Sequence, residues 1–558
     1  AALIGGSSAV LDSLLSNTLP ASVTVKDPCL EVLALVRVLS VLNRHYHSLY
    51  PPAPTKLPLP MTDFQNVKLT AKANRQLQDP LVIMTGNLPP WLPQIAYACP
   101  FLFPFETRQL LFYAVSFDRD RAIQRLQETN PELNHGDSTE RVTPRLDRKK
   151  KTVSREDILK QAESVINDLV PSKALLEIQY SGEVGSGLGP TLEFYAIVSR
   201  EMKKAELELW RGQSVAVEEE TVEGSSKTVK YVHATTGLYP TPLPKTMKSA
   251  AMNKIKQKFK FLGKFMAKAV MDSRMVDLSL HECMLKWMLG EERSLGLADV
   301  LSLDPEFGVT LRQLHALVLQ KRRVQDQARV QGYSTQQLEN DVRNITLDGC
   351  SVEDLSLNFT LPGYPNIELK KGGADICVTI DNLDQYLQLV VEWLLREGVW
   401  RQMEAFKEGF DSVFPMSQLQ VFYPEELEQV FCGSNAPSHW DIKVLAECCK
   451  PDHGYTHDSR AVKYLLQILS EYSAKDQRNF LQFTTGSPRL PVGGFRSLTP
   501  PLTIVRKTFE ANESPDDFLP SVMTCVNYLK LPDYSTYKIM KDKLDFAISE
   551  GQHSFHLS

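Results

Sequence analysis

The chain has 558 residues, enough for roughly three to four domains, and its 43% apolar and 9% aromatic content supplies core material for all of them. Charged residues make up 23% and the formal net charge is −5, a balance that argues against a generally disordered chain and a broadly basic nucleic-acid binder. The longest apolar runs, such as 30–42 with Glu31, Arg37 and Ser40 inside it, fall short of the roughly 18 residues a bilayer span needs, so a soluble chain with no membrane partner is expected.

In chain order, residues 1–60 offer one helical candidate, Leu30 to Tyr50, closed by Pro51, Pro52 and Pro54 and followed by a linker. Residues 61–150 are aromatic and proline-punctuated, as in Leu88-Pro89-Pro90-Trp91 and Cys99-Pro100-Phe101-Leu102-Phe103-Pro104-Phe105; irregular packed segments are expected there rather than long helices. The run Arg145, Arg148, Lys149, Lys150, Lys151 and Arg155 marks a boundary. It reads as a solvated linker or strand edge, because no aromatic platform interleaves it for nucleic acid.

A strand is expected over Leu175 to Tyr180, then a tight glycine turn (Gly182, Gly185, Gly187, Gly189) with Pro190 at the first helical position. The dinucleotide fingerprint fails, since its third glycine would fall on Pro190. Residues 212–228 read as an exposed acidic loop. Ile255, Phe259, Leu262, Met266 and Ala269 share one helical face, as do Leu383, Leu387, Val390 and Leu394 before Gly398, and Cys377 to Ile380 reads as a short buried strand.

Nine cysteines, odd in number and scattered from Cys29 to Cys525, fit a reducing compartment. The start lacks an initiator Met and a secretory signal, and the chain reads as a piece of something longer. Cys448, Cys449, His453 and His457 lack the spacing of a tetrahedral zinc grip, so no metal and no cofactor is expected.

The segment from Leu519-Pro520 through Thr524-Cys525-Val526-Asn527 to Leu531-Pro532-Asp533-Tyr534 differs from the surroundings of the other cysteines. Small polar residues and two Leu-Pro punctuations suggest a surface turn holding an accessible thiol. A free thiol is only a few per cent thiolate at neutral pH, but thiolates are strong nucleophiles, so positioning can matter more than strong activation.

This segment resembles the reactive-cysteine motif of the HECT class of ubiquitin ligases. Upstream text fits the resemblance in family order: Gly182-Glu183-Val184-Gly185 with Leu192-Glu193-Phe194-Tyr195, Phe261-Leu262-Gly263-Lys264, Glu425-Glu426-Leu427-Glu428 to Cys432-Gly433, and Phe480 to Pro491 with Gly493-Gly494-Phe495 as a strand and turn. Within the class the wording is similar to the ubiquitin-fusion-degradation type. One departure is Met523, where many members carry His two residues before the cysteine.

The resemblance implies an α+β, bilobal fold: an irregular helical extension, a large mostly helical lobe over 151–432, a hinge at 433–436 and a small α/β lobe over 437–558. It implies that Cys525 accepts ubiquitin from an E2 conjugating enzyme as a thioester and passes it to a lysine of a protein substrate or of ubiquitin, directing proteins to the proteasome in the nucleus or cytoplasm. Thr524, Asn527 and Phe555 are expected to support transfer, and Gly433, Ser434 and Asn435 to form the hinge. An E2-recruiting subdomain is expected near 291–382, with Leu301, Leu303 and Phe307 as contacts. A cysteine protease pairing Cys525 with His553 or His556 is disfavoured by residue order, and a non-catalytic adaptor built from the front half is the other alternative.

Overall fold

The computed structural model describes residues 18–46, 57–130, 143–220, 226–510 and 512–550. The chain forms the expected α+β fold with two large apolar cores and a small satellite cluster of Ile83, Ala122 and Ile123. One large core runs from Ala73 to Cys432 and the other from Trp440 to Ile548.

The front of the chain is more helical than its prolines suggest, with helices at Val67–Leu77, Pro80–Thr85, Trp91–Ala98, Phe105–Ser116 and Arg119–Thr129. The prolines sit at helix starts, where no N–H is needed: Pro80 opens one helix and Pro104 precedes another. Asn66, Asp79 and Asp118 cap three of these helices by accepting from first-turn backbone N–H groups. The first helix among the described residues, Cys29–Arg44, begins one residue before the span expected and ends inside it. This front region joins the larger core: the Phe112 and Phe117 rings pack on Phe414, Arg108 makes a buried two-pronged pair with Glu426 (2.5 and 2.6 Å), and Arg121 meets Asp272 at 2.9 Å.

In the large lobe the basic run becomes Arg148–Val153, the edge strand of a three-stranded sheet, parallel to Leu175–Tyr180. Most of the described residues in the expected loop are strand instead: Gln213–Glu220 and Ser226–His233 pair as an antiparallel hairpin. Helix Leu188–Glu201 starts two residues before Pro190, still within the turn that requires no donor. Helix Ser249–Met271 buries the five residues of its expected face and crosses Trp400–Asp411. Glycines allow that crossing, since a Cβ on Gly263 would collide with the Phe406 carbonyl oxygen and one on Gly409 with the Lys260 carbonyl oxygen. Residues 377–380 do not form a strand, because a single bridge between Asn358 and Cys377 is all the pairing they find.

The small lobe carries a four-stranded sheet in the order Ser521–Met523, Tyr528–Leu531, Thr503–Arg506, Lys450–Asp452. Val522, Leu529, Leu531 and Ile504 face its core, covered by helices Arg460–Glu471, Ala474–Thr485 and Tyr537–Glu550. Residues 480–485, expected as a strand, end the second of these helices, whose start Ser473 caps and which Gly486 terminates.

Candidate active site

The antiparallel pair Ser521–Met523 and Tyr528–Leu531 leaves Thr524, Cys525, Val526 and Asn527 as a four-residue turn. Val526 N donates to Met523 O at 3.2 Å across it. Asn527 has φ of 52°, a left-handed conformation that asparagine tolerates better than most residues. Its side-chain nitrogen donates to Pro500 O at 2.7 Å, and its main-chain oxygen accepts from Thr503 N at 2.9 Å. Thr524 and Asn527 are buried while Cys525 between them is exposed, so the turn is anchored on both sides and the thiol stands in solvent. Further along, the Tyr534 hydroxyl donates to Phe518 O at 2.7 Å, tying the end of the motif back to its beginning.

Exposure separates eight of the nine cysteines into two groups, with Cys448 intermediate between them. Burial pushes Cys99, Cys432 and Cys449 up to about 12, and Cys283 well above its ordinary value, so these thiols stay protonated at neutral pH. Cys29, Cys350, Cys377 and Cys525 are exposed. The hydrogen bond to Asp27 raises Cys29, whereas Cys350 and Cys377 sit at isolated bridges of the large lobe. Among the described residues, no three or more His, Cys, Asp or Glu side chains are grouped to hold a metal ion. Phe555, His553 and His556 lie outside the described residues.

The joint between the lobes is short. Gly433 N donates to Gln429 O of helix Pro424–Cys432, and Ser434 N donates to Leu490 O of the small lobe at 2.9 Å. Gly433 has φ of 72°, and a Cβ there would collide with Leu490 O. Ser434 Oγ lies 2.9 Å from His439 Nε2, and the Asn435 side-chain oxygen, in the orientation that satisfies both its polar ends, accepts from Arg489 Nη1 at 2.5 Å. Of the three expected hinge residues, Ser434 and Asn435 are therefore bonded into the small lobe, and Gly433 lies at the changeover.

The three apolar residues expected to meet an E2 are engaged within the fold. Leu303 is buried, which corrects its reading as a contact surface, and Leu301 and Phe307 are half-buried. Helix Leu297–Leu303 lies against the start of helix Pro305–Gln331, where Gly308 admits the Leu301 backbone. On the long helix Val309, Leu319 and Val330 are exposed. Sequence reasoning also missed Asp277, which accepts from Arg478 (2.6 Å) and Arg489 (2.8 Å) across the lobes; the signal available was an acid set between the core residues Val276 and Leu278.

The family model described as HECT-domain (ubiquitin-transferase) matches residues 196–558. The E3 ubiquitin-protein ligase TRIP12 of Danio rerio is 58% identical over 540 residues, covering 97% of this chain and 26% of that protein. The E3 ubiquitin-protein ligase UPL3 of Arabidopsis thaliana is 42% identical over 98% of this chain and 30% of its own length. Ubiquitin fusion degradation protein 4 of Saccharomyces cerevisiae is 35% identical over 89% of this chain and 32% of its own length. The chain thus spans about a quarter to a third of the length of these relatives.

Proposed function

The chain belongs to the HECT-domain (ubiquitin-transferase) family, and from that membership we propose that it is the transferase end of a longer E3 ligase, with Cys525 as the residue that carries ubiquitin. The Cys525 sulfur attacks the thioester carbonyl joining ubiquitin to an E2 conjugating enzyme. A new thioester forms and the E2 thiol leaves with the proton. An acceptor lysine amine then attacks that thioester, giving an amide and returning the Cys525 thiol. The first exchange is nearly balanced because one thioester replaces another, and the second runs downhill because an amide is more stable. Neither step calls for a metal or nucleotide.

The observation that carries this reading is the exposed thiol on a turn whose flanking residues, Thr524 and Asn527, are buried. Such anchoring holds the nucleophile ready without ordering it at the moment of reaction. Thr524 and Asn527 support transfer by fixing the turn, the hinge segment Gly433 to Asn435 lets the small lobe turn about Gly433 while Ser434 and Asn435 move with that lobe, Phe555 steadies the loaded lobe, and the region 291–382 receives the E2. The partners are an E2, ubiquitin as donor and acceptor, and protein substrates bound for degradation. The reducing setting that free cysteines favour is the nucleus or cytoplasm.

The test is a single-turnover loading assay with activating enzyme, E2 and ubiquitin, read on gels with and without reductant. The parent chain should show a reducible adduct and Cys525→Ala none. An adduct of equal yield in the variant would overturn the assignment.

A further inference from the structure

We propose that Asp277 is a positioning residue for ubiquitin transfer: it latches the small lobe to the large one through Arg478 and Arg489, and only one of the two half-reactions proceeds with the latch closed. The inference rests on the transferase reading above and goes beyond it by naming the group that sets the lobe orientation.

Asp277 belongs to the large lobe, where Val276 N donates to Phe431 O and the Asp277 N–H donates to Ser199 Oγ at 3.1 Å. Its carboxylate is nearly buried, and both oxygens are taken by the small lobe: Oδ2 by Arg478 at 2.6 Å and Oδ1 by Arg489 Nε at 2.8 Å. Arg489 also donates to Ser279 Oγ at 3.0 Å, and Ser279 in turn donates to Glu428 at 3.0 Å. Lys203 adds a third cation 3.9 Å from the carboxylate. Burial alone would raise the Asp277 carboxyl, yet Lys203, Arg478 and Arg489 hold it well below the usual range.

Three cations converge on this one anion, so neutralising it does more than remove two hydrogen bonds. It leaves Lys203, Arg478 and Arg489 facing one another across the joint, and repulsion replaces attraction. Beside the latch the lobes do not close on one another. A cavity of about 820 Å³ opens there between the hairpin residues Val215 and Tyr231 and the small-lobe residues Asn479 and Gln482. The turn bearing Cys525 is bonded within the small lobe, through Pro500 and Thr503, so lobe and thiol move together about Gly433. A thiol that must first face an E2 and then an acceptor amine needs two lobe orientations, and the Asp277 pairs form in one of them.

The experiment measures two single-turnover rates, loading of Cys525 from an E2 thioester and discharge of pre-loaded chain to free lysine. The variants are Asp277→Asn, Arg478→Ala and Arg478→Lys. The ratio of the two rates should shift by about tenfold or more in Asp277→Asn, shift less but in the same direction in Arg478→Ala, and return toward the parent in Arg478→Lys. Equal loss of both rates, or no change in either, overturns the latch. Arg478 is 39% exposed, so its variants carry the test where Asp277→Asn does not fold. If the parent itself forms no reducible adduct, the transferase reading fails separately. The latch is then decided by solution X-ray scattering, in which Asp277→Asn and Arg478→Ala should broaden the distance distribution and profiles identical to the parent's refute it.

Discussion

Asn527 donates its side-chain amide to the carbonyl oxygen of Pro500, 2.7 Å away, and so pins the turn that carries Cys525 to the chain entering the neighbouring strand. The bond is local, but it fixes where the thiol points. Asn527→Ala removes it and places a β-carbon-bearing residue without asparagine's tolerance at φ of 52°, a combined loss of about 1–3 kcal/mol at the turn. Loading of Cys525 should slow by about tenfold, with the far-ultraviolet spectrum retained. Asn527→Gly relieves the strain and not the lost bond, and should fall between. Equal loading rates in all three chains would refute the anchoring role.

Gly433 lies where bonding passes from one lobe to the other. Gly433→Ala drives a Cβ into Leu490 O and Met275 Sδ at a positive φ, so the joint must shift to accept it. Ubiquitin discharge should slow while E2 affinity holds. Ser434→Pro removes the N–H that Leu490 accepts and should act similarly. Single-turnover discharge beside E2 binding by calorimetry checks both.

Phe555 lies outside the described residues, and its transfer-supporting role is the one the family resemblance implies. Phe555→Ala should load Cys525 at nearly the parent rate and form isopeptide bonds more slowly. Equal discharge from pre-loaded parent and variant would sink the idea.

Leu303 and Leu319 separate packing from recruitment. Leu303→Ala deletes buried side chain and should cost about 2–5 kcal/mol of stability. Leu319→Asp changes an exposed position on the long helix and should leave the melting temperature nearly unchanged while weakening E2 binding. Hydrogen exchange with and without E2 should show protection within 291–382; protection confined to 18–130 would place the E2 elsewhere.

The Asp277 pairs also set a pH dependence. Its folded value is depressed, so its stabilisation is fully present above the unfolded carboxyl value of about 4 and is lost as pH falls below that. The stability difference between the parent and Asp277→Asn should be constant from about pH 5 to 7 and shrink as the pH drops below about 4. Denaturant melts across that range test it, and a difference that grows on acidification would contradict the sign.

How much of the fold and the site is legible in the sequence follows from how local each signal is. Ile255 through Ala269 sit on one buried face because helical periodicity is written in the sequence itself. The Cys525 motif is legible because its fixed residues each act close by, with Asn527 holding Pro500, Tyr534 holding Phe518, and Leu529 and Leu531 filling the core. The hairpin strands hide from a compositional reading because Glu218, Glu219 and Glu220 in succession read as a charge run, while what makes them strand is their pairing with Thr228, Lys227 and Ser226. Leu303 deceives because an apolar residue beside charged neighbours looks the same whether it faces a partner or the next helix. Asp277 carries no local signal of its role, which depends on Arg478 and Arg489, some two hundred residues away in sequence.

The two large apolar cores share no residue: one closes by Cys432 and the other opens at Trp440. A lobe that seals its own interior behaves as a cartridge. Its chain joint to the rest turns at one glycine, the latch near that glycine is ionic, and Gly486 packs closely on the Gly189 backbone, so a different small lobe could be fitted by matching those few contacts without redesigning either interior. Specificity for what the thiol modifies can then diverge in one cartridge while the machinery that fills it stays as it was.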